Sequence, residues 1–473
     1  MKNLDRRFAS AFIFALICAC SSSGEPTAPE LPDTAGGAGA GGDTEPDGPG
    51  TDPLTPGGPQ GSGGSASGEG TNPDIPLTGN VAGAGNGTGN AAGSAGSGGA
   101  APNNELPPFV APTTPDPDLF TGPPQSLRQA AKLTERLVGA AVRANRLNNE
   151  TYAAAAREFN YVTPENEMKW DALEREPGVF TFANANRIVL FAEANHMQVK
   201  GHTLVWHSQI PAWVRAMTTR DEALAAMERH ITEVVGHYKG RVQAWDVVNE
   251  AFTDGNNPRL RGSDPNDVND PNNSNGNNGP DSPFRRLIGE DYIDRAFTLA
   301  RAADPEALLF YNDFNTEGTN AKANAVFNMV QSMKERGIPI DGVGLQMHIN
   351  SNGGVTAQQL TQNIQRLTGL GLQVVYSELD VTLCGNADIA QRRQQQKTRL
   401  ADVTKACTDN PLCSAITVWG IADSDSWRNS MCNGGGSEPL LFDTTYQRKD
   451  AYFGVFDQLV TAGAAAPPEN PAP

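Results

Sequence analysis

Two short segments with strand-like apolar residues carry carboxylate side chains, and neither segment contains Lys or Arg. The segment "WDVVNEAF" (245–252) opens with an apolar run and reaches Asn249 and Glu250 without a turn residue between them. The segment "SELDV" (377–381) carries Glu378 and Asp380 two residues apart, so the alternation of a strand puts both on one face. A single acid at a strand end is usually a solvated terminus or a helix cap. Whether these acids do chemistry therefore depends on how other strands end.

Eight β-rich runs alternate with helical segments along residues 126–461. The candidate strands are 136–142, 161–165, 199–206, 242–250, 307–315, 342–349, 373–381 and 415–421. The clearest helix, 220–238, shows apolar residues at helical spacing and begins with Thr219 and Glu222 in the arrangement of a capping box. Strands that alternate with helices predict parallel pairing with crossover helices. Eight such units predict an α/β fold, a closed (β/α)8 TIM barrel.

In such a barrel the carboxyl ends of the strands form one rim, where functional side chains gather. Polar, titratable or aromatic residues occupy seven of the eight predicted ends: Glu165 with Asn166, His202 to His207, Asn249 with Glu250, Asn312 with Asp313, Gln346 with His348, Glu378 with Asp380, and Trp419. Glu250 and Glu378 end the fourth and seventh strands, so we expect them to face each other. Two acids in one cavity have their pKa values pushed apart. One protonated and one ionised carboxyl group is what cleavage of a glycosidic bond requires.

Seven sequence blocks occur in order over essentially all of 126–461, and they extend this interpretation. They are "TPENEMKW", "GHTLVWHSQIPAW", "WDVVNEAF", "YNDFN", "LQMH", "SELDV" and "VWGIADSDSW". Together they resemble glycoside hydrolase family 10, the retaining endo-β-1,4-xylanases built on a (β/α)8 barrel. The resemblance implies xylan and xylo-oligosaccharides as substrates, with no cofactor and no metal. It also implies that Glu250 is the acid/base and that Glu378 is the nucleophile, which forms a covalent glycosyl-enzyme.

The same resemblance assigns roles to further residues of the rim. Asn249 would bind the sugar 2-hydroxyl, and Asp380 with His348 would hold the nucleophile ionised, unless Asp380 is only a rim acid. The sugar on the non-reducing side of the cut would be lined by His202, Trp206 and Gln346. The next sugar would be bound by Glu165, Asn166 and Lys169, and pyranose rings would stack on Trp419 and Trp427. Two alternatives remain open: Lys169 could pair with Glu165 or Glu167, and the tryptophans could be core residues.

The N-terminal part of the chain predicts an exported protein with a tether. In residues 1–20, three basic residues precede an apolar run too short to span a bilayer, as in a secretory signal. The run ends in "ICAC", which resembles a bacterial lipobox with Cys20 as the lipidated residue, although Cys18 leaves ordinary cleavage open. Residues 21–125 are rich in Gly, Pro, Ala and Ser and should form a disordered linker. A catalytic domain (126–461) and a tail (462–473) follow. We expect a cell-surface or outer-membrane lipoprotein, or otherwise a secreted protein.

The net charge limits the classes of molecule that the protein can bind, and the cysteine content indicates the cellular compartment. A net charge of −18 disfavours nucleic acid or an anionic substrate, and we expect a monomer that contacts a membrane only through a lipid anchor. Beyond the signal, four cysteines predict two disulfides with three possible pairings, while their spacing disfavours zinc. The loop "ACTDNPLC" resembles a short disulfide loop of some family members, which implies Cys407–Cys413 and leaves Cys384–Cys432.

Other functions and one unusual insert stay open at this stage. A metal-dependent barrel hydrolase could use His202, His348 and Glu378 as ligands, although the chain has no His-x-His pair. A carbohydrate-binding protein could keep the fold without the reaction. The insert at 254–284 is rich in Asp and Asn and could bind calcium or form a solvated loop. The preference among decorated xylans and any activity on cellobiosides are not determined by these patterns.

Overall fold

The computed structural model describes residues 104–269, 279–432 and 436–465. Its strands are β1 Leu137–Val142, β2 Tyr161–Pro164, β3 Gln198–Trp206, β4 Ala244–Asn249, β5 Leu308–Asp313, β6 Gly342–Leu345, β7 His348–Asn350, β8 Gln373–Thr382 and β9 Cys413–Val418. All pairings between them are parallel, in the order β6-β5-β4-β3-β2-β1-β9-β8-β7, and β6 also pairs with β8, which closes the ring. The predicted (β/α)8 TIM barrel is confirmed.

The sixth barrel strand is divided, unlike the single strand predicted at 342–349. Between β6 and β7, Met347 adopts a φ of +63°, a left-handed conformation that a side chain such as methionine rarely takes. The strand therefore breaks after Leu345 and resumes at His348. This break lies at the rim, where Gln346 and His348 were predicted to act.

Helices follow the strands as crossover connections. They are α1 Leu127–Lys132, α2 Glu150–Ala156, α3 Trp170–Leu173, α4 Ala183–Ala194, α5 Ala212–Arg215, α6 Arg220–His237, α7 Pro283–Ile288, α8 Tyr292–Ala303, α9 Ala321–Glu335, α10 Ala357–Gly369, α11 Ile389–Thr408 and α12 Asp450–Ala465. The predicted capping box of α6 is present, with reciprocal bonds between Thr219 and Glu222. Buried side chains of helices and strands form a continuous apolar core.

The final residues of the predicted linker contact the barrel. Asn104 donates to the Phe180 carbonyl (3.0 Å), Arg241 donates to the Pro107 carbonyl (2.6 Å), and Asp118 pairs with Arg128 (2.6 Å). The segment 104–125 therefore packs against the domain that was predicted to begin at 126. The predicted signal, Cys20 and the rest of the linker lie outside the described residues, as does most of the tail. Within the described ranges, no helix is long and apolar enough to cross a membrane.

Both predicted disulfides are present. Cys407, in the last turn of α11, bonds to Cys413 at the start of β9, with a Cα–Cα distance of 5.1 Å. Cys384 and Cys432 join the loops that follow β8 and β9, with a Cα–Cα distance of 5.0 Å. The second disulfide therefore connects two loops at the carboxyl ends of the strands.

Replacement of Gly201 by alanine should destabilise the barrel. A Cβ at this position of β3 would lie 2.1 Å from the Trp245 indole on β4, and Trp245 is fully buried. Overpacking of this kind costs about 1–3 kcal/mol. In the control Gly236→Ala, the new methyl group on α6 meets no atom within 4 Å, so stability should be unchanged or rise by up to about 1 kcal/mol. Urea unfolding followed by tryptophan fluorescence measures both, and equal stability of the two variants would contradict the packing argument.

Candidate active site

A cleft of about 430 Å³ opens at the carboxyl ends of the barrel strands. All twelve rim residues predicted to bind or cleave substrate line it, namely Glu165, Asn166, Lys169, His202, Trp206, Asn249, Glu250, Gln346, His348, Glu378, Trp419 and Trp427. They come from strand ends up to more than 250 positions apart in the sequence. Asp380 is fully buried beneath the cleft, so the alternative of a solvated rim acid is wrong.

Glu250 is held by two neutral donors in a buried position. The indole of Trp206 donates to Oε2 (2.9 Å) and the amide of Gln346 donates to Oε1 (2.9 Å). Burial raises the pKa of Glu250 above its ordinary value, and the nearby Asp313 carboxylate raises it further, against the two donors. Its backbone has a φ of +54°, and strained conformations of this kind cluster at functional sites.

Glu378, which β8 presents to the same cleft, is held in the ionised form. The amide of Asn312 donates to Oε1 (2.8 Å), and His348 Nε2 donates to Oε2 (3.3 Å). Burial by itself would raise the pKa of this carboxyl group, but the hydrogen bond from His348 and the positive charge around it lower the pKa to about 2. Glu378 is therefore ionised over the range in which Glu250 begins to titrate.

The charge on His348 depends on two residues below it. His348 Nδ1 donates to Asp380 Oδ2 (2.8 Å), and the guanidinium of Arg428 contacts Asp380 Oδ1. Burial lowers the pKa of His348, but the carboxylates of Asp380 and Glu378 together outweigh burial and raise it to about 10. Charges thus alternate from Arg428 through Asp380 and His348 to Glu378, which matches the support predicted for the nucleophile.

Cations from other parts of the chain reach two acids near the strand ends, Asp380 and Asp313. Arg428 reaches Asp380 from the loop after β9, and Lys322 of α9 reaches Asp313 at 2.9 Å. Neither cation is close in sequence to the acid that it neutralises, so inspection of neighbouring residues could not find the pairs.

A chain of amides connects the two catalytic candidates. Asn249 Oδ1 accepts from Asn312 Nδ2 (2.9 Å) and from Gln346 Nε2 (3.3 Å). Gln346 and Asn312 are the same residues that donate to Glu250 and Glu378. The orientation of the Asn249 side chain is therefore determined, and the amides bring no net charge between the two carboxyl groups.

The far end of the cleft is also polar and closely bonded. Lys169 Nζ donates to Asn166 Oδ1 (3.0 Å) and Gln209 Oε1 (2.6 Å) and lies 5.1 Å from the Trp206 ring centroid. Its bonds thus go to these amides, whereas Glu165 pairs with Arg143 (2.6 Å). Burial lowers the pKa of Lys169.

Two tryptophans bound the cleft in different ways. Trp419 is 7% exposed and lies edge-on to His202, with ring centroids 5.2 Å apart. Trp427 is 50% exposed and lies edge-on to His348, so it is not a core residue. An exposed indole face beside the two carboxyl groups can stack against an apolar face of a sugar ring.

Sequence reasoning missed four residues that line the cleft, which are Gln209, Phe314, Arg428 and Met431. Gln209, Phe314 and Arg428 each lie next to or within a block that carries the family resemblance, so the signal was available. Met431 lies in the loop after β9, for which no pattern predicts a position. His207 is buried and lies outside the cleft lining. Among the described residues, no group of three His, Cys, Asp or Glu side chains is arranged to hold a metal ion.

Comparison with known proteins shows that the sequence of this chain is similar to those of a known family. The profile of glycosyl hydrolase family 10 matches residues 126–458. The chain is 38% identical over 302 residues to endo-1,4-beta-xylanase B of Thermotoga neapolitana, covering 64% of this chain and 81% of that protein. It is 39% identical over 311 residues to endo-1,4-beta-xylanase 5 of Pyricularia oryzae, covering 66% and 71%.

Solved structures are similar over the same region. Xylanase 10B from Thermotoga maritima matches with a TM-score of 0.65 and 37% identity, covering 72% of this chain and all of that one. Xylanase 10B from Thermotoga petrophila RKU-1, in complex with xylobiose, matches with a TM-score of 0.66 and 38% identity, covering 73% and 100%. At these identities and coverages the likeness extends to the whole barrel.

Replacement of Asp380 by asparagine should discharge His348. Without the carboxylate, burial is opposed mainly by Glu378, so the pKa of the imidazole should fall by several units from about 10. Nitrogen-15 chemical shifts of the ring, followed by NMR during a pH titration, report this change directly. The exposed-site control Asp409→Asn, which removes only a partner of Lys405, should leave the His348 titration unchanged. An imidazole that is still charged at pH 8 in Asp380→Asn would show that Asp380 does not control it.

Proposed function

The chain belongs to glycosyl hydrolase family 10, and we propose that it is a retaining endo-1,4-β-xylanase in which Glu250 is the acid/base and Glu378 the nucleophile. Endo-1,4-β-xylanase activity itself is supported by relatives that cover most of the domain. The retaining mechanism and the roles of the two glutamates are the proposal. One observation carries it, which is the geometry of two carboxyl groups in one cleft: neutral groups donate to Glu250, whereas the imidazole of His348 donates to Glu378. The two pKa values are accordingly shifted in opposite directions.

In the first step, Glu378 attacks the anomeric carbon while Glu250 protonates the departing glycosidic oxygen. The attack needs an ionised carboxylate, and the hydrogen bonds from Asn312 and His348 maintain that form. The proton donor needs a pKa above the ordinary value, which burial and Asp313 provide for Glu250. A covalent xylosyl ester on Glu378 and a free hydroxyl on the departing chain result.

In the second step, Glu250 acts as the base. The ester has no negative charge on Glu378, so one cause of the raised pKa of Glu250 disappears and its ionised form becomes more favourable. Glu250 then removes a proton from water, whose oxygen attacks the anomeric carbon. The bond between that carbon and Glu378 breaks, which restores the carboxylate and releases a xylo-oligosaccharide with the original β-configuration. A double displacement of this kind requires the two carboxyl groups to lie roughly 5–5.5 Å apart.

The remaining residues of the cleft suit a neutral polysaccharide. We propose that Asn249 binds the 2-hydroxyl of the reacting sugar and that His202, Trp206 and Gln346 line its subsite. Glu165, Asn166 and Lys169 would bind the adjacent xylose through hydroxyl groups, and the half-exposed Trp427 would offer a stacking face. The xylobiose in the complex of the Thermotoga petrophila xylanase agrees with this substrate class.

Proton NMR during cleavage of xylohexaose is the decisive test of the proposed reaction. The β-anomer of each new reducing end should form first and then mutarotate, and the first products should arise from internal bonds. Initial accumulation of the α-anomer would contradict the assignment of Glu378 as nucleophile, because inversion needs no covalent intermediate.

Two alanine variants separate the roles of the glutamates. On a dinitrophenyl xylobioside, whose leaving group needs no proton, Glu250→Ala should form the glycosyl-enzyme normally but hydrolyse it slowly, and azide should restore turnover as a β-xylosyl azide. Glu378→Ala should lose at least about 10³-fold in kcat on every substrate, and azide should not yield the β-product. Equal behaviour of the two variants would contradict the division of roles.

We also propose that the protein is exported, acts as a monomer, and carries lipid on Cys20. The apolar run before Cys20 and the long linker after it support this placement. The mass of the mature N-terminal peptide distinguishes a diacylated or triacylated cysteine from simple signal cleavage.

A further inference from the structure

Arg143 lies at the carboxyl end of the first barrel strand. This was the one predicted strand end of eight without a polar, titratable or aromatic residue. Arg143 directly follows Val142, the last residue of β1. Its Nε donates to Glu165 Oε2 (2.7 Å) and its second nitrogen donates to Oε1 (2.6 Å). Both oxygens of the carboxylate are therefore engaged in a bidentate pair, the strongest arrangement for this kind of contact.

Arg143 is itself fixed from two further sides. The same nitrogen donates to the carbonyl of Asp425 (3.0 Å), and the backbone N–H of Arg143 donates to the hydroxyl of Tyr152 (3.0 Å). The guanidinium thus spans the ends of β1 and β2 and the segment after β9. Glu165 lines the cleft whereas Arg143 does not, so Arg143 holds the carboxylate from behind.

Two other basic side chains lie nearby but have different partners. Lys169 donates to Asn166 and Gln209. Arg146 pairs with the side chain of Asp425 at 2.9 Å. Among the described residues, Arg143 alone forms an ion pair with Glu165.

We propose that Arg143 is a positioning residue for the second xylose of the substrate, because it fixes the carboxylate of Glu165 in one orientation toward the cleft. This inference rests on the proposed function, in which Glu165 binds that sugar. An ionised carboxylate has about four lone-pair sites and no donor. Arg143 occupies two of them, and the others remain to accept hydroxyl protons. The rotamer freedom of Glu165 is lost before the sugar binds, so binding does not have to offset it.

Two chromogenic substrates test this role, because they differ only in the second sugar. Nitrophenyl β-xyloside fills the reacting subsite alone, whereas nitrophenyl β-xylobioside also reaches Glu165. Arg143→Ala should lower kcat/KM for the xylobioside about tenfold, the equivalent of one lost hydrogen bond to a charged group. The same variant should change kcat/KM for the xyloside less than about twofold, and Arg143→Lys should fall between wild type and Arg143→Ala on the xylobioside.

A matched control and a double variant complete the experiment. Arg157 also forms a side-chain ion pair, with Glu150 on α2 (2.7 Å), so Arg157→Ala should leave both substrates unaffected. In a Glu165→Gln background, Arg143→Ala should cause no further loss on the xylobioside. Thermal unfolding midpoints show whether each variant is folded, and if Arg143→Ala does not fold, Arg143→Lys gives the same comparison.

The alternative results are distinct. Equal loss on both substrates would overturn the proposal in favour of a general structural role. No loss on either substrate, or a full additional loss in the Glu165→Gln background, would show that Arg143 does not act through Glu165. Failure of the wild-type enzyme to cleave the xylobioside would instead contradict the proposed function.

Discussion

An ionised carboxylate removed from water loses solvation worth several kcal/mol unless charges and hydrogen bonds replace it. Glu378 is 5% exposed, and its stability in that form depends on the imidazolium of His348 and the amide of Asn312. The imidazolium in turn depends on Asp380, and Asp380 on Arg428. These groups come from different strands and from a loop, so the closed barrel is a condition for the charge on Glu378.

Glu250 presents the opposite requirement a short way across the cleft. Its contacts are the neutral donors Trp206 and Gln346, so burial and the nearby negative charges can keep its pKa high. The break of the sixth barrel strand and the left-handed backbone of Glu250 both lie at this point. Local strain is thus located where the donors to Glu250 are positioned, as expected for a functional site.

Loops after the last two barrel strands complete the site. The segment after β9 carries Trp427 on the cleft surface and Arg428 beneath it, and the Cys384–Cys432 disulfide connects this segment to the loop after β8. Backbone bonds such as Leu383 N–H to the Ser437 carbonyl (2.8 Å) hold the same two loops together. At the other end of the cleft, Arg143 gives Glu165 a comparable fixed position. The residues proposed to bind substrate and the charged side chains around Glu378 are therefore held in place by the same loops and strand ends.

The order of strands and helices, the closed barrel, and the residues at the strand ends follow from the sequence alone, because periodicity and helix caps are local patterns. Glu250, Glu378 and eight other cleft residues could be named because parallel strands present their carboxyl ends together, and the family resemblance added Lys169 and Trp427. The partners of these residues could not be named. Arg428 is 48 positions from Asp380, and Arg143 is 22 positions from Glu165, so neither pair forms a local pattern. The tertiary structure decided these pairs, because an ion pair depends on distance in space, which closure of the barrel determines. The packing of residues 104–125 and the division of the sixth strand were likewise decided by contacts between residues far apart in the sequence.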